Sequence, residues 1–379
     1  MKGSVLPGAT VGVFGGGQLG RMLGFVAKRM GYQVGVFTPD EGGPASQIAD
    51  WTVTAQYEDL DRIEAFAKRT DVITMEFENV PGASLRHASQ YAPVLPDPSV
   101  QEIAQHRIRE KTFLAKNSFP IAANVSVVTD EELVAGGRSV GFPAVLKTAG
   151  FGYDGKGQRY VENAEELQSA WGSLGQSPVV LEAWIKHEME ISIVIARDSL
   201  GRSVVYPPIE NRHHNHILDL SLAPALIDKR IKQEAISQAL ALAEALELVG
   251  VMAIEFFLTQ SGDLLINEIA PRPHNSGHLT IEATVCSQFE QQLRAVCGLP
   301  LGDTTLLQPA VTGNLLGDLW ASGEPNWSAA AEIREVSIHL YGKGVARIGR
   351  KMGHLTALHY DRNEAERKVI AARNVLVKP

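Results

Sequence analysis

Apolar positions in the first hundred residues follow two different spacings. Short β-rich apolar runs occur at 10–14, 33–37 and 71–77, whereas 19–30 and 60–68 carry apolar residues every three or four positions. The first pattern is typical of buried strands and the second of amphipathic helices. Because strand–helix–strand order with short connections favours parallel pairing, this region predicts a doubly wound parallel sheet.

The same pattern divides the remaining chain into three further parts. Prolines cluster at 93–98, and short β runs rich in glycine follow Pro309. We therefore predict an N-terminal domain over 1–98, a small α/β domain over 99–185, a large domain over 186–308 and a β-rich C-terminal module over 309–379. Helices are expected at 101–117, 164–174 and 228–248, and strands at 144–149, 158–161, 179–184, 189–196, 250–258, 263–269, 336–341 and 354–360.

Composition excludes several classes of protein. Hydrophobic residues make up 45% of the chain and charged residues 21%, which is typical of a globular protein rather than a disordered or coiled-coil one. No apolar run approaches the roughly 20 residues that cross a bilayer, and the opening residues lack the apolar stretch of a secretion signal. Two cysteines, Cys286 and Cys297, are too few for a disulfide framework. We expect a cytoplasmic protein with no membrane partner.

The charge balance argues against a nucleic-acid partner. The chain has 35 Lys and Arg against 43 Asp and Glu, a net charge of −8, whereas nucleic-acid binding favours a basic domain or stripe. One local basic cluster stands out, because no acidic residue interrupts Lys343, Arg347, Arg350 and Lys351. An anionic small molecule could be held there.

A glycine motif follows the first predicted strand. Residues 15–20 read GGGQLG, which satisfies the dinucleotide-binding pattern between a strand and a helix. That pattern also requires an acidic residue at the end of the second strand, yet Asp40 arrives late, behind Pro39. We favour a turn whose amides hold another polar or anionic ligand. A packing turn and a nicotinamide-dependent oxidoreductase are the alternatives.

A second glycine-rich segment, GFGYDGKG at 150–157, follows the strand at 144–149. It begins like a phosphate-binding P-loop, but Gly157 stands where Ser or Thr would be needed, and a strand rather than a helix follows. We interpret it as a loop that closes over phosphates with its amides and Lys156. An ordinary flexible hairpin is the alternative.

Two glutamates are expected to face each other on a hairpin. If Ser261 and Gly262 form its turn, Glu255 and Glu268 lie directly opposite on neighbouring strands. Like charges in that position repel, and a divalent cation with a preference for oxygen, Mg²⁺ or Mn²⁺, would relieve the repulsion. Asn267 offers a further oxygen. The alternative is a pair of glutamates that face solvent.

The segment after this hairpin, APRPHNSGH at 270–278, is dense in polar groups. Its two prolines keep it extended, and Arg272 can present a planar fork to a carboxylate, bicarbonate or phosphate. A simple polar loop is the alternative. The run HHNH at 213–216 lacks further ligands at zinc spacing, so we favour a loop that contacts a nucleotide.

These motifs together resemble the ATP-grasp superfamily and, within it, the N5-carboxyaminoimidazole ribonucleotide synthase family of purine biosynthesis. The similarity spans nearly the whole chain through GGGQLGRML, TMEFENVP, KTAGFGYDGKGQ, EISIVIARD, INEIAPRPHNSGH and GKGVARIGRKMGHL, in the order of the family. It implies an α/β (α+β) ATP-grasp architecture: a doubly wound parallel-sheet domain, a small α/β lid domain, a large mixed-sheet domain and a small β-rich C-terminal module. It also implies a homodimer.

The resemblance implies an ATP site between the second and third domains. Arg107 and Lys147 would contact phosphates, and Mg²⁺ or Mn²⁺ would bind Glu255 and Glu268. Because Ala270 stands where many ATP-grasp enzymes carry Asn, the third metal ligand stays open. The remaining implied nucleotide contacts are Gly152, Tyr153, Asp154, Gly155, Lys156, Gly157 and Gln158 in the loop, Glu182, Ala183, Trp184 and Ile185 around adenine, Glu190 at the ribose, and His213, Asn267 and Glu268.

The implied second substrate is aminoimidazole ribonucleotide, which would be carboxylated with ATP and bicarbonate through carboxyphosphate. The implied catalytic residues are Tyr153, Asp154, Arg272 and His274. Another carboxylate–amine ligase, a formate-dependent ribonucleotide transferase and a nucleotide-binding protein without catalysis are the alternatives. The implied contacts to the ribonucleotide are Gln18, Leu19, Glu76, Tyr153, Asp154, Arg272, His274, Asn275 and Ser276, with Lys343 and Arg350 at its 5′-phosphate.

Overall fold

The N-terminal domain is a four-stranded parallel sheet with helices on both faces. The computed structural model describes residues 3–150 and 157–377. The strand order is β3-β2-β1-β4, and every pairing is parallel, so the predicted doubly wound sheet is confirmed. The elements are β1 (Thr10–Phe14), α1 (Gln18–Arg29), β2 (Gln33–Thr38), β3 (Trp51–Thr54), α2 (Leu60–Ala67), β4 (Val72–Met75) and α3 (Gly82–Ala88).

The single helix predicted for 101–117 is wrong, because two helices occupy the region. They are α4 (Pro98–Ala104) and α5 (Arg107–Lys116). Between them, His106 is extended and forms an isolated antiparallel bridge with Gly150. The Arg107 N–H then donates to the Ala149 carbonyl at 2.7 Å. These bonds to another part of the chain replace continued helix and place Arg107 at the first turn of α5.

The small domain is a four-stranded antiparallel sheet in the order β5-β8-β6-β7. The strand predicted after the second glycine-rich segment is present as β7, which supports the exclusion of a P-loop. The elements are β5 (Asn124–Val127), α6 (Asp130–Val140), β6 (Ala144–Thr148), β7 (Gln158–Val161), α7 (Ala164–Ser173) and β8 (Val179–Ala183).

One large sheet runs through the rest of the chain. Its strands are β9 (His187–Arg197), β10 (Ser203–Val205), β11 (Ile209–His214), β12 (Ile217–Ala223), β13 (Gly250–Thr259), β14 (Leu264–Ala270), β15 (Ala310–Leu316), β16 (Val336–Leu340) and β17 (Lys351–Leu358). The helices are α8 (Lys229–Ala245), α9 (Thr280–Ala283), α10 (Gln288–Val296), α11 (Trp327–Ala331) and α12 (Arg362–Asn374), with 3-10 segments at Asn275–Leu279 and Gly317–Trp320.

The order of this sheet is β14-β13-β9-β11-β12-β15-β17-β16, with β10 beside β9. We expected a mixed sheet, and that is wrong: every strand pairing within the described residues of this sheet is antiparallel. The C-terminal strands extend the sheet through the β12–β15 pairing. The division of the chain into four parts stays a prediction.

Helix α10 packs against the N-terminal domain. Its Phe289, Leu293 and Val296 share a buried apolar cluster with Leu19 and Met22 of α1. Burial of such side chains is worth on the order of 1.5–3 kcal/mol each, so this contact holds the N-terminal sheet against the large domain. Within the described residues, no helix is long and apolar enough to cross a bilayer.

Candidate active site

A cavity of about 510 Å³ is lined by residues of the small sheet, the large sheet and the start of α5. It brings together residues that are far apart in the sequence, and most of the predicted nucleotide and metal contacts are among them. The predicted residues that line it are Arg107, Lys147, Gln158, Glu182, Ala183, Trp184, Ile185, Glu190, His213, Glu255, Asn267, Glu268, His274 and Asn275.

Glu255 of β13 and Glu268 of β14 pair directly across the hairpin, as predicted. The turn itself differs from the expectation: Gln260, Ser261 and Gly262 form it, closed by the Thr259 N–H, which donates to the Asp263 carbonyl at 3.0 Å, and Gly262 has φ +83°. A β-bulge at Asn267 compensates for the extra loop residue. The bulge also lets the neighbouring side chains of Asn267 and Glu268 both line the cavity.

The two carboxylates differ in electrostatic environment. Burial, followed by the negative charge of Glu268, raises the pKa of Glu255 to about 8. Burial acts to raise the pKa of Glu268 as well, but the charges of Arg107 and Lys147 outweigh it and lower that pKa. Arg107 donates to Glu268 at 3.2 Å. Near neutral pH Glu255 therefore keeps its proton, whereas Glu268 is ionised.

The donor set fits Mg²⁺ or Mn²⁺. Two carboxylates and the Asn267 amide oxygen are the hard oxygen donors that these ions prefer. Among the residues that the structure describes, no three His, Cys, Asp or Glu side chains converge as a complete protein metal site. Mg²⁺ is usually bound by one or two carboxylates and completes its coordination with water and substrate phosphates.

Buried cations line the cavity beside the carboxylates. The Lys147 ammonium lies 2.9 Å from Glu182 and 3.3 Å from the Asn267 amide oxygen. Lys111, also buried, donates to the Asn267 carbonyl at 2.7 Å, a group that the bulge leaves without a strand partner. Burial would raise the pKa of Glu182, but Lys147 and Lys111 outweigh it and lower that pKa to about 2. Of these two cations, Lys147 lines the cavity and is positioned to meet a polyanion.

A further part of the cavity lining carries rings and one carboxylate. Glu190 is 3.3 Å from His187 and 3.0 Å from His213. Although burial acts to raise the pKa of Glu190, hydrogen bonds from both histidines lower it to about 2. The His187 ring stacks on Phe257 at 4.8 Å, and Trp184 is 45% exposed. Flat rings next to hydrogen-bonding groups suit a nucleoside.

The segment after β14 is held in place by two side chains. Arg272 donates through Nε to Glu78 at 2.6 Å, which connects it to the N-terminal domain. Gln288 accepts from the His274 N–H at 2.9 Å and donates to the His274 carbonyl at 2.7 Å. Burial, together with the charge of Arg272, keeps the pKa of His274 well below its ordinary value. Asn275 lines the cavity, and its buried amide oxygen has no hydrogen-bond partner among the described residues.

The predicted ribonucleotide contacts of the N-terminal domain lie at the glycine turn. There the Glu76 carboxylate accepts from the Gly17 N–H at 2.8 Å and the Gly20 N–H at 3.3 Å. A protein carboxylate therefore uses amides that a dinucleotide pyrophosphate would need. Gln18 is partly exposed at the start of α1, whereas the Leu19 side chain is buried in the apolar core.

The other predicted contacts lie outside the main cavity lining. Ser276 is fully buried. In the loop between β16 and β17, Lys343 donates to the Lys351 carbonyl and Arg350 to the Val345 carbonyl, both at 2.7 Å. Gly157 is described, at φ +73°. The predicted Gly152, Tyr153, Asp154, Gly155 and Lys156 lie outside the described residues.

Comparison with known proteins identifies the family. Three family models match: a ribonucleotide synthetase preATP-grasp domain over 8–105, an ATP-grasp domain over 112–289, and a phosphoribosylaminoimidazole carboxylase C-terminal domain over 310–368. The N5-carboxyaminoimidazole ribonucleotide synthase of Bacillus subtilis is 41% identical over 96% of this chain and 95% of its own. The chain belongs to the N5-carboxyaminoimidazole ribonucleotide synthase family.

Solved structures of this family superpose closely. The N5-carboxyaminoimidazole synthetase of Staphylococcus aureus, solved with ADP, is 35% identical with a TM-score of 0.91 and covers 98% of both chains. The Aspergillus clavatus synthase, solved with ADP and 5-aminoimidazole ribonucleotide, is 32% identical with a TM-score of 0.87 and covers 97% of this chain and 98% of its own. Because the chain belongs to this synthase family, the glycine turn does not indicate a nicotinamide-dependent oxidoreductase.

Several cavity residues of this family member were missed in the sequence. His187 and Phe257 sit in β9 and β13, where alternation alone gives them no distinguishing signal. Asn215 and His216 belong to the HHNH run, which we expected to contact a nucleotide although only His213 was assigned a contact, and Lys351 belongs to the predicted basic cluster. Among the described residues, the lining residues without any assignment from the sequence are Val145, His187, Leu218 and Phe257.

Proposed function

We propose that this chain carboxylates the exocyclic amine of 5-aminoimidazole ribonucleotide, using ATP and bicarbonate, to give N5-carboxyaminoimidazole ribonucleotide. One observation carries the proposal: a single cavity combines buried cations, a facing pair of carboxylates and a neutral imidazole. Phosphoryl transfer needs the first two. Family membership and the ligands named for the solved relatives support the same reaction.

Lys147 and Arg107 are proposed to hold the transferred phosphoryl group. Phosphorylation of bicarbonate gives carboxyphosphate, whose carbonyl is activated for attack by the amine, and its formation places negative charge on phosphoryl oxygens. Lys147 is held at 2.9 Å by Glu182, so its ammonium needs little reorganisation when that charge develops. Glu255, Glu268 and Asn267 would hold Mg²⁺ or Mn²⁺, which when bound neutralises phosphate charge.

The acceptor is proposed to bind between the 272–276 segment and the N-terminal domain. Arg272 bridges both through Glu78, and its fork can contact a carboxylate or phosphate. His274 would orient the amine or move its proton, together with Asp154 and Tyr153. The other proposed contacts are Gln18, Leu19, Glu76, Asn275 and Ser276, with Lys343 and Arg350 at the 5′-phosphate.

Phosphate release from Mg-ATP tests the proposal. Release should require both the ribonucleotide and bicarbonate, and the carboxylated product should form in equal amount. Phosphate release that depends on formate or an amino acid would support a different ligase. If no turnover occurs, the chain would be a nucleotide-binding protein without catalysis. Arg272→Ala and Asp154→Ala should each abolish carboxylation while ADP still binds.

We also propose a cytoplasmic setting and a homodimer. Both Cys286 and Cys297 are free and buried, which fits a reducing compartment. Sedimentation of the purified chain tests the dimer, which so far rests on family resemblance.

A further inference from the structure

Three buried polar side chains form a row across the large sheet. Ser192 of β9, Asn211 of β11 and Ser221 of β12 are 0%, 5% and 2% exposed; we call them the polar row. Ser221 Oγ donates to Asn211 Oδ1 at 3.0 Å, and Asn211 Nδ2 donates to Ser192 Oγ at 3.0 Å. Asn211 lies opposite Ser221 in the β11–β12 pairing, so the row follows one face of adjacent strands.

The polar row continues to the active-site cavity. Ser192 Oγ donates to Ser276 Oγ at 2.8 Å, and Ser276 Oγ lies 2.9 Å from His274 Nδ1. The other ring nitrogen, Nε2, lies 3.3 Å from the Glu255 carboxylate. A hydrogen-bonded path therefore runs from the sheet interior to the imidazole, whose other nitrogen lies near Glu255 in the cavity.

One backbone group shows the direction of this path. The Ser276 N–H, which can only donate, points at His274 Nδ1 from 3.3 Å, so Nδ1 accepts and carries no proton. The Ser276 hydroxyl already accepts from Ser192, and its own hydrogen is available for Nδ1. The reverse order would need a proton on Nδ1, in conflict with the backbone N–H. The neutral ring is thus protonated on Nε2, which faces Glu255.

Burial of this row costs free energy unless each bond is made. Apolar residues of similar shape would serve the sheet about equally well. We propose that the polar row is a set of positioning residues that hold His274 as the tautomer with its proton on Nε2. This inference rests on the proposed function, in which His274 faces the reacting groups, and it places the Nε2 proton on the side of the ring that lies 3.3 Å from Glu255.

The tautomer can be measured without turnover. Long-range ¹H–¹⁵N spectra of the full chain labelled with ¹⁵N-histidine separate protonated from unprotonated ring nitrogens, and His274→Gln identifies the His274 signals by their loss. The expected result is an unprotonated Nδ1 and a protonated Nε2. A proton on Nδ1, or equal populations of both tautomers, would overturn the inference.

Asn211→Asp tests the polarity of the row. The change preserves shape, but an ionised carboxylate only accepts, so it draws the Ser192 hydrogen away from Ser276. At pH 8.5 we expect the His274 Nδ1 signal to move towards the range of a protonated nitrogen. We also expect kcat to fall about tenfold, which is a modest part of the rate enhancement that general acid–base catalysis typically gives. KM for ATP should stay within about twofold. Ser192→Ala, which merely cuts the row, should act in the same direction with a smaller effect.

Thr312→Val is the matched control. Thr312 lies opposite Ser221 on β15, is buried, and bonds to the Thr356 hydroxyl at 2.8 Å. Removal of this hydroxyl, which is outside the polar row, should leave both the His274 spectrum and turnover unchanged. Loss of activity in Asn211→Asp with an unchanged His274 tautomer would overturn the positioning role, as would a changed tautomer with full activity.

The two proposals fail separately. If the wild-type chain shows the expected tautomer but no bicarbonate-dependent phosphate release, the proposed function is wrong, and the polar row loses its catalytic purpose. If it carboxylates the ribonucleotide but His274 carries its proton on Nδ1, the inference alone is wrong.

Discussion

Glu255 and Glu268 lie directly opposite each other on β13 and β14, and both carboxylates line the main cavity. Arg107 compensates Glu268 at 3.2 Å, whereas Glu255 retains a pKa of about 8 because of burial and the neighbouring charge. The hairpin therefore holds a proton near neutral pH that a divalent cation must displace.

Metal affinity should consequently depend on pH. Below pH 8 the metal-free protein holds the Glu255 proton, so Mn²⁺ binding releases it and weakens by up to about tenfold per pH unit as the pH falls. Mn²⁺ titrations with ADP present at pH 6.5 and 8.5 measure this. The Glu255→Gln variant should bind Mn²⁺ weakly at both pH values. Equal wild-type affinity at the two pH values would contradict the prediction.

The buried pair of Lys147 and Glu182 should affect stability and nucleotide binding differently. Lys147→Met leaves a buried carboxylate with only Lys111 at 3.6 Å, and we expect a loss of about 3 kcal/mol in the free energy of unfolding. The double variant Lys147→Met, Glu182→Leu should regain much of the lost free energy of unfolding, as measured by urea unfolding. Both variants should bind ADP at least about tenfold more weakly, because the phosphate-facing cation is absent. Wild-type ADP affinity in the double variant would refute the phosphate role of Lys147.

Glu110 should make stability decrease as pH rises. It is 1% exposed and accepts from the Ile269 N–H at 2.7 Å, and burial raises its pKa to about 7. Between its ordinary pKa and pH 7, Glu110 keeps its proton in the folded state and loses it in the unfolded state. Its contribution to the free energy of unfolding is therefore present at low pH and lost as the pH rises.

Glu110→Gln removes that dependence. From pH 5 to 7.5 the variant should gain stability relative to wild type by up to about 1.4 kcal/mol per pH unit, as measured by urea unfolding. Glu244→Gln, at an exposed position of α8, is the control. A stability difference that is constant with pH would show that Glu110 does not bind this proton.

Glu76 should stabilise the glycine turn. It caps the amides of Gly17 and Gly20, so Glu76→Ala removes the acceptor of one partly buried and one buried N–H and should cost about 1–2 kcal/mol. Glu76→Gln retains one acceptor oxygen and should cost less. Thermal unfolding ranks the three proteins. If Glu76→Ala unfolded at the same temperature as the wild type, the Glu76 cap would contribute nothing to stability.

The predicted hairpin shows how local pattern and tertiary context combine. The predicted turn at Ser261 and Gly262 placed Glu255 opposite Glu268, and the structure agrees on this pair, although the turn has three residues rather than two. The bulge at Asn267 restores the register. A bulge leaves no reliable sequence signal, because it depends on what satisfies the freed carbonyl, here the distant Lys111.

The helix predicted across 101–117 failed for a similar reason. Local propensity favours continuous helix, but His106 pairs with Gly150, more than forty residues away. That pairing breaks the helix and brings Arg107 to the cavity. Likewise, the antiparallel order of the large sheet depends on long-range pairing such as β12 with β15.

The sequence alone determined the N-terminal parallel sheet, the hairpin and the residue types of the site, since apolar periodicity and glycine placement act over a few positions. Only the tertiary structure decided which side chains meet. His187 on Phe257 and the polar row behind His274 depend on strand order and register, and these follow from burial summed over the whole chain rather than from any short segment.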